Sequence, residues 1–500
     1  MNLSSDRRTG VLVAAACADA LGAGYEFGGP MSTAVPVEMR GQGAFAPGEW
    51  TDDTAQLIAI ALAAADGHDL DSDEGLDAVA RNLLDWYLSP ASDKDIGIHT
   101  AQVFRGVTDQ LQPGLAEHMR EVAIRKEQAN PQSSGGNGAL MRTAPVALAL
   151  WQEPERMVRT AMLIAGMTHA DERSSQACAV WCLAIRRALM TDDPADLQGL
   201  VETTVADVGV YLGSSAMAFW DSAFGRAHRA HPQEFYGARP NNGYCVTALQ
   251  AAWAAISSTQ VPTDQPGRHL RLAIEAAVRG GGDTDTVACI AGAVLGALWG
   301  ASAVPLDWRR RVFGWPHMMD RELVELADAI DRGRTTDWPQ CDHFDYSGWS
   351  RRFELVAHPH DPGVLLSGAA AAQGEIPIDG EPIGAVVSLC RIGRTDLDHF
   401  ELGPGSAVEV WLIDTADGNP NLDLVLRDAA DAVHAFRQGG RRVLLHCVES
   451  ASRTPSVAAM YSVLHLGIEP ETAIKEVLTA LPNASPQPAF LASVRRAWDN

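Results

Sequence analysis

A glycine-rich turn that carries two aspartates and two threonines, residues 280–286 (GGGDTDT), constrains the fold of this chain more than any other stretch. It is followed by an apolar run of small residues, 287–299, which predicts a buried helix. Oxygen ligands that follow such a turn can point to one place and bind a divalent cation there. A second stretch of this kind, residues 50–54 (WTDDT), lies far upstream and also begins an apolar helical pattern. We predict that the two stretches form one site.

The charge of this site predicts bound cations. Four aspartates carry enough negative charge to neutralise two divalent cations: Asp52, Asp53, Asp283 and Asp285. Without cations they would repel so strongly that at least one would have to stay protonated. Thr51 and Thr286 can add neutral oxygens, and an all-oxygen ligand set favours magnesium, manganese or calcium over zinc. In the alternative interpretation, Asp52 or Asp53 only caps a helix.

The segment near the N-terminus adds a further acid. Residues 10–27 (GVLVAAACADALGAGYEF) predict a helix whose last turns end at glycines, and Glu26 lies just past that end. Taken alone, Glu26 would be a solvated loop acid, although its aromatic neighbours suggest partial burial. Asp19 lies inside the helix, and we interpret it as a structural hydrogen-bonding residue rather than a ligand.

A glycine-rich loop at residues 133–145 (SSGGNGALMRTAP) precedes an apolar helical pattern. Backbone N–H groups at such a position can bind a phosphate, and a loop that is only flexible explains the pattern equally well. His169, between two predicted helices, would by itself be a packed or surface histidine.

The pattern of apolar residues changes after residue 330. Short apolar strands then alternate with helices, which predicts an α/β layer with a largely parallel sheet. We therefore predict domains at 1–330 and 355–500, joined by a linker at 331–354. The predicted elements are strands 363–367, 385–389, 408–413 and 442–446, a helix at 423–436 and a helix from about residue 454.

Cys447 lies in a loop between the last predicted strand and the last helix, and Arg453 follows six residues later. Loop N–H groups and the helix dipole would lower the pKa of the thiol, and a guanidinium can grip two phosphoryl oxygens. We expect Thr454 to hydrogen-bond the thiolate and Asp414 to act as the general acid. The alternative is a buried cysteine at the end of a strand.

Six motifs, in this order, resemble the ADP-ribosylglycohydrolase family over about residues 9–320: GVLVAAACADALGAGYEF, WTDDTAQ, GGNGALMRTAP, THAD, GYCVTALQAA and GGDTDTVACIAGAVLGALWG. The resemblance implies an all-α bundle that holds two magnesium or manganese ions. It also implies cleavage of the bond between ADP-ribose and a side-chain nitrogen or oxygen. One departure is Ala18, where the family usually has glycine.

Carried over position by position, the resemblance implies a role for each matching residue. Glu26 matches a mobile catalytic glutamate beside the metals. The implied metal set is Thr51, Asp52, Asp53, Asp283, Asp285 and Thr286. The residues implied to meet the pyrophosphate of the substrate are Gly136, Asn137 and Gly138, through backbone N–H groups, with His169 nearby.

Residues from about 355 to 500 resemble the dual-specificity, cysteine-based protein phosphatases. The resemblance rests on an entry hairpin, an acid loop and a signature loop: FELVAHPHDPGVLLSGAAA, WLIDTADGN and LLHCVESASRTPSVAAMY. Two residues depart from the signature. Ser450 replaces a glycine that permits positive φ, and Glu449 places an acid in a loop meant for an anion.

The composition of the chain indicates which partners and which cellular compartment to expect. The formal net charge of −24 argues against nucleic acid, whose binding depends on Lys and Arg. We find no signal-peptide pattern and no apolar run long enough to cross a membrane, so we expect a cytoplasmic protein. The eight cysteines include no CxxC pair, which argues against a disulfide framework and a zinc site.

Together these patterns predict a multidomain enzyme with an N-terminal all-α ADP-ribosylglycohydrolase bundle and a C-terminal α/β cysteine phosphatase-like domain. It would use two Mg²⁺ or Mn²⁺ ions to remove ADP-ribose from a protein side chain or a small conjugate. A phosphorylated substrate would occupy the C-terminal domain. The alternative is a protein that binds ADP-ribose or a phosphopeptide, with one or both domains inactive.

Overall fold

The computed structural model describes residues 4–107, 113–131, 135–330, 341–349, 355–415 and 417–498. The chain divides into two compact units. The first unit comprises Met1–Pro262, Arg268–Val304 and Val312–Thr335, and the second comprises Thr263–Gly267, Pro305–Arg311 and Thr336–Asn500. In the predicted linker, residues 331–340 and 350–354 lie outside the described residues, so the predicted boundaries stay predictions.

The first unit is helical, as the apolar patterns predicted. Its one small ribbon among the described residues pairs Phe313–Gly314 (β1) with Met318–Met319 (β2). No helix in the described part of the chain is both long enough and apolar enough to cross a membrane. The helices of the first unit are α1 Ser5–Gly22, α2 Asp52–Ala65, α3 Asp73–Tyr87, α4 Ile98–Arg105, α5 Leu115–Ala129, α6 Ala144–Leu150, α7 Pro154–Gly166, α8 Glu172–Met190, α9 Leu197–Leu212, α10 Ser214–Ala227, α11 Cys245–Ser258, α12 Arg268–Arg279, α13 Thr284–Trp299 and α15 Asp320–Ile330. Helix α14, Leu306–Arg309, lies between α13 and β1 in the chain and belongs to the second unit.

Helices α1 and α13 pack against each other in antiparallel directions through residues too small to hold them apart. A methyl group added to Gly296 would lie 1.9 Å from the carbonyl oxygen of Gly10, and one added to Gly292 would lie 2.6 Å from that of Ala14. The methyl of Ala18 fits the same contact, 2.9 Å from where a methyl on Gly292 would be. Every residue of α13 is buried as a result.

The contact brings the end of α1 to the beginning of α13. A methyl group added to Gly22, the last residue of α1, would lie 2.5 Å from the Cα of Asp285. The two halves of the predicted site are therefore joined through a contact between backbones, which only glycine permits at this distance.

The strands of the second unit are β3 Leu355–His358, β4 Asp361–Ser367, β5 Ala385–Ser388, β6 Ala407–Glu409 and β7 Val443–His446. They form a five-stranded sheet with the strand order β3-β4-β7-β5-β6. The β4, β7, β5 and β6 pairs are parallel, as predicted, and β3 is antiparallel to β4. The predicted strand 408–413 is shorter in the structure and ends at Glu409. The helices are α16 Ala369–Ala372, α17 Leu422–Gln438, α18 Arg453–Leu466, α19 Pro470–Ala480 and α20 Pro488–Arg496.

Strand β7 is the central strand, and all four of its residues are buried. Val443 and Leu445 belong to one apolar cluster, which includes residues of α17 and α18, while Leu444 belongs to a second cluster. Successive side chains of a strand point to opposite faces, so the sheet is covered on both. The chain leaves this covered strand at His446, directly before Cys447.

We predict that Gly296→Ala lowers the melting temperature of the first unit by several degrees, because forcing a methyl group into a filled contact costs about 1–3 kcal/mol. The measurement is differential scanning calorimetry of the full chain. Gly166→Ala is the matched control, because no atom lies within 4 Å of the added methyl and alanine favours the helix. Equal effects of the two substitutions would contradict the role given to the α1–α13 contact.

Candidate metal centre and neighbouring loops

Helix α2 begins at Asp52, and its cap is Thr51 rather than an aspartate. The Thr51 side chain accepts a hydrogen bond from the backbone N–H of Asp53 at 3.4 Å. The interpretation of Asp52 or Asp53 as only an N-cap is therefore wrong. Both carboxylates lie at the positive end of the helix dipole and are left for other partners.

Carboxylates from three separate segments converge at the junction of α1, α2 and α13. Asp19, Asp53 and Asp285 each offer an oxygen within 4.8 Å of the others. Glu26, Asp95 and Asp285 form a second group by the same measure. Because Asp285 belongs to both, the two groups adjoin.

The remaining predicted ligands lie against these acids. Thr51 Oγ1 is 3.1 Å and Thr286 Oγ1 is 3.2 Å from Asp53 Oδ2. Asp52 accepts a hydrogen bond from Gln56, and Asp283 accepts one from Asn137 at 2.7 Å. The structure thus places all six predicted ligands at or beside one centre: Thr51, Asp52, Asp53, Asp283, Asp285 and Thr286.

Asp19 organises the start of α2. Its two carboxylate oxygens accept hydrogen bonds from the backbone N–H and the hydroxyl of both Thr51 and Thr54, at distances of 2.6 to 3.2 Å. Burial nevertheless raises its pKa to about 6. These bonds are those of the structural residue that the sequence suggested, although one oxygen faces Asp53 and Asp285.

The buried carboxylates of the centre repel one another, which favours a bound cation. Burial, and then repulsion among neighbouring carboxylates, raises the pKa of Asp52, Asp53 and Asp285 well above the ordinary value. Asp53 Oδ1 is buried and has no hydrogen-bond partner among the described residues. An all-oxygen set with an unpartnered buried carboxylate oxygen fits a hard divalent cation such as Mg²⁺ or Mn²⁺.

Asp95 is a member of the centre that the sequence did not reveal to us. It lies in the loop before α4, where burial, followed by repulsion from Asp283 and Asp19, raises its pKa to about 6. Residues 93–97 (DKDIG) combine acids with a glycine before a helix, as residues 280–286 do. That shared pattern was the available signal.

The triple glycine of residues 280–282 holds the loop that carries Glu26. The backbone N–H of Phe27 donates to the carbonyl of Gly282 at 2.7 Å, and the N–H of Gly282 donates to the carbonyl of Gly28 at 2.8 Å. Gly281 and Gly282 have φ of +77° and +80°. A methyl group on Gly281 would lie 2.7 Å from the nitrogen of Pro30. Glycine is therefore required for this pairing.

Glu26 itself is half-buried beside Asp95 and Asp285. Burial, and then repulsion from Asp95, raises its pKa to about 8. The environment of the metal-free protein therefore favours the protonated form of Glu26 more than that of Asp95.

Asn137, in the predicted phosphate-binding loop 133–145, lies next to Asp283, but its backbone N–H already has a hydrogen-bond partner. The backbone N–H of Asn137 donates to the carbonyl of Gly243 at 3.1 Å, so this group already has a partner, and its contact with a pyrophosphate stays a prediction. Gly136 and Gly138 lie beside His169, because a methyl group on either would be 3.5 or 3.4 Å from His169 Nε2. Residues 133 and 134 of the predicted loop lie outside the described residues.

In the second unit, Cys447 is buried in the loop after β7. Arg453 begins α18 and donates from Nη1 to the carbonyl oxygens of Leu389 and Leu412 at 2.8 and 3.4 Å. Its Nε is 3.4 Å from Asp414 Oδ2. The structure therefore brings the predicted arginine and the predicted acid together.

Two expectations about this loop need correction or refinement. Thr454 donates its hydroxyl to the carbonyl of Ser367 at 3.4 Å, and not to the thiolate as we expected. Ser450 has φ of +55°, so serine adopts the strained conformation for which the phosphatase signature uses glycine. Its hydroxyl is buried and has no partner among the described residues.

Comparison with known proteins extends these observations. The model of the ADP-ribosylglycohydrolase family matches residues 2–340. An "ADP-ribosylarginine hydrolase Tri1" of Pseudomonas putida is 26% identical over 350 residues, which cover 69% of this chain and 82% of that protein. An "ADP-ribosylhydrolase ARH3" of Homo sapiens is 25% identical over 305 residues, which cover 57% and 78%.

The second unit has a weaker likeness. The crystal structure of human DUSP28 covers 30% of this chain and 97% of its own, with 22% identity and a TM-score of 0.26. A score of this size carries no conclusion, so the phosphatase resemblance stays a prediction.

The raised pKa values predict a pH-dependent effect of metal. A carboxyl group whose pKa is raised by folding contributes stability that is present below about pH 4 and lost as the pH rises through the raised value. Those values are about 6 for Asp19 and Asp95 and about 8 for Glu26. The rise in melting temperature caused by saturating Mg²⁺ should therefore grow from about pH 5 to about pH 8.

The measurement is calorimetric melting of the full chain with Mg²⁺ and with a chelator at each pH. Asp53→Asn is the matched variant, because it removes one buried charge with little change in shape and should flatten the dependence on pH. A metal effect of the same size at every pH would contradict the prediction.

Proposed function

The chain belongs to the ADP-ribosylglycohydrolase family and is a hydrolase, and we propose that its first unit uses two divalent cations to remove ADP-ribose from a modified protein side chain or a small ADP-ribosyl conjugate. The observation that carries this proposal is the convergence of buried carboxylates from three separate segments beside Glu26 and Asp95. The names of the two relatives, an ADP-ribosylarginine hydrolase and an ADP-ribosylhydrolase, support ADP-ribose as the group that is removed.

Two Mg²⁺ or Mn²⁺ ions would be held by the six predicted oxygen ligands. When bound, such ions orient ribose hydroxyl groups and lower the pKa of a coordinated water. The donors that already hold the acids are neutral, since Gln56 donates to Asp52 and Asn137 donates to Asp283. The charge of the acids is therefore left for the cations.

Glu26 and Asp95 are the residues proposed to transfer protons. Cleavage of the glycosidic bond needs a proton on the leaving nitrogen or oxygen and a base for the attacking water. Two acids whose environments separate their pKa values can divide these roles. In the metal-free cluster, burial raises the pKa of Glu26 further than that of Asp95, and we therefore assign donation of the proton to Glu26 and its acceptance to Asp95.

The pyrophosphate of the substrate is proposed to lie at Gly136 and Gly138, next to His169. Burial, and then the positive charge of Arg142, lowers the pKa of His169 well below its ordinary value. The imidazole is therefore neutral and acts as a hydrogen-bond donor rather than as a cation. The same position would accept any ADP-ribosyl compound, whatever the leaving group.

We predict that Glu26→Gln slows release of ADP-ribose by at least about 100-fold, because the proton donor is lost. Binding of Mn²⁺ should weaken less than in Asp283→Ala, because Glu26 is not one of the six proposed ligands. Asp283→Ala is the complementary variant, and it should weaken both Mn²⁺ and ADP-ribose binding. The assay is release of ADP-ribose, measured by chromatography, from ADP-ribosylated arginine, serine and small conjugates.

The proposal fails if the wild-type protein with Mg²⁺ or Mn²⁺ releases nothing from any of these substrates and Asp283→Ala keeps full ADP-ribose affinity. Binding of ADP-ribose by wild-type protein without any release would favour the alternative of a binding protein.

For the second unit we propose a cysteine-dependent phosphatase that acts on a phosphorylated substrate. The specific observation is the buried Cys447 at the end of the central strand, together with Arg453 held within 3.4 Å of Asp414. Cys447 would be the nucleophile and Asp414 the general acid. Ser450 and Glu449 favour the alternative, a unit that binds phosphate without cleaving it.

We predict that the full chain hydrolyses p-nitrophenyl phosphate and that Cys447→Ser abolishes this activity. Ser450→Gly should raise turnover, because glycine adopts the positive φ of that position without strain. Turnover that survives Cys447→Ser would exclude the thiolate mechanism. Tungstate binding without turnover would support the binding alternative.

A further inference from the structure

We propose that Arg142 is a positioning residue that fixes the proposed metal ligand Asp52 at one end of its side chain and the imidazole of His169 at the other. The inference rests on the proposed function, because it concerns the same centre. Among the described residues, Arg142 donates no direct hydrogen bond to the acids at the junction or to Gly136 and Gly138. It acts through one neighbour on each side.

The first link leads to the metal centre. Arg142 Nη1 donates to Gln56 Oε1 at 2.5 Å, and Gln56 Nε2 donates to Asp52 Oδ2 at 2.9 Å. An amide has one acceptor and one donor end, so the bond from Arg142 decides which end of Gln56 faces Asp52. Arg142 thereby keeps a donor, and not a second oxygen, against the carboxylate.

The second link leads to the glycine loop. Arg142 Nη2 donates to Thr168 Oγ1 at 2.6 Å, and that hydroxyl is 2.8 Å from His169 Nδ1. Arginine can only donate, so the Thr168 oxygen accepts from it and its own hydrogen is free to be donated to Nδ1. If Nδ1 carried the imidazole proton, the Thr168 hydrogen would have no acceptor among the described residues, so these contacts favour the proton on Nε2, the nitrogen that lies beside Gly136 and Gly138.

We call the chain of hydrogen bonds that runs from Asp52 through Gln56, Arg142 and Thr168 to His169 the relay. The relay is shielded from water, so water cannot replace a hydrogen bond that is lost. Gln56, Arg142 and Thr168 are all 0% exposed, and His169 is 2% exposed. Burial lowers the pKa of Arg142 only to about 10, so it stays charged at neutral pH. A buried donor or acceptor that loses its partner is left without a replacement from solvent. The two ends therefore cannot reorient freely while Arg142 is in place.

Each of the two links of Arg142 can be removed by a separate substitution. Gln56→Met removes the link to Asp52, and Thr168→Val removes the hydroxyl that orients His169 with little change in shape. Arg142→Met removes both links. Thr168→Ser keeps the hydroxyl and is the conservative control. Arg187→Met is the stability control, because it breaks a bidentate ion pair with Asp207 that is not part of the relay.

The test measures two dissociation constants by calorimetric titration: that of Mn²⁺ for nucleotide-free protein, and that of ADP-ribose for protein saturated with Mn²⁺. Gln56→Met should raise the first constant about tenfold or more, as loss of a partner to a metal ligand usually does. Thr168→Val should raise the second about fivefold, which corresponds to one lost hydrogen bond. Arg142→Met should raise both.

Non-additivity and the controls complete the design. The double variant of Gln56→Met and Arg142→Met should bind Mn²⁺ no more weakly than the worse single variant, because both remove the same link. Thr168→Ser should restore ADP-ribose affinity, and Arg187→Met should lower the melting temperature while leaving both constants unchanged.

The proposal is overturned if Arg142→Met lowers the melting temperature as Arg187→Met does and changes neither constant. If Arg142→Met does not fold, unchanged constants in both Gln56→Met and Thr168→Val overturn it instead. Wild-type protein that binds Mn²⁺ and not ADP-ribose would contradict the proposed function, and the Mn²⁺ constants would still decide whether Arg142 and Gln56 position Asp52.

Discussion

The antiparallel contact between α1 and α13 is the constraint on which the metal centre depends. Glycines in both helices let the two backbones touch, so the last turn of α1 meets the first turn of α13. A carboxylate oxygen of Asp285 then lies within 4.8 Å of one of Asp19. Metal ligation tolerates errors of only about 0.2 Å in ligand distance, and a helix pair set apart by larger side chains would exceed that.

The carboxylates brought together in this way oppose folding unless their charge is balanced. The hydrogen bonds that hold them come from neutral side chains: Thr51, Thr54, Gln56, Asn137 and Thr286. These donors fix the orientation of each carboxylate and leave its charge. Protons or divalent cations must supply the balance, which is why raised pKa values and a metal site are two descriptions of the same cluster.

In the second unit, the positions of Cys447 and Arg453 depend on a buried strand rather than on a contact between helices. Strand β7 is buried on both faces of a parallel sheet, and the chain turns sharply where that strand ends. Cys447 follows the strand directly, and α18 begins at Arg453 on the far side of the turn. The covered strand fixes where the loop begins, and the backbone carbonyls of Leu389 and Leu412 fix the guanidinium.

The sequence by itself determined the helices, the parallel sheet and both acid clusters, because periodicity and glycine turns act over a few neighbouring residues. Only the tertiary structure brought Asp95 to the centre, paired the N–H of Asn137 with Gly243 and the hydroxyl of Thr454 with Ser367, and placed Arg142 between Gln56 and Thr168. Each of these facts depends on a contact between residues far apart in the chain. Such contacts are decided by how helices and strands pack, which local patterns do not specify.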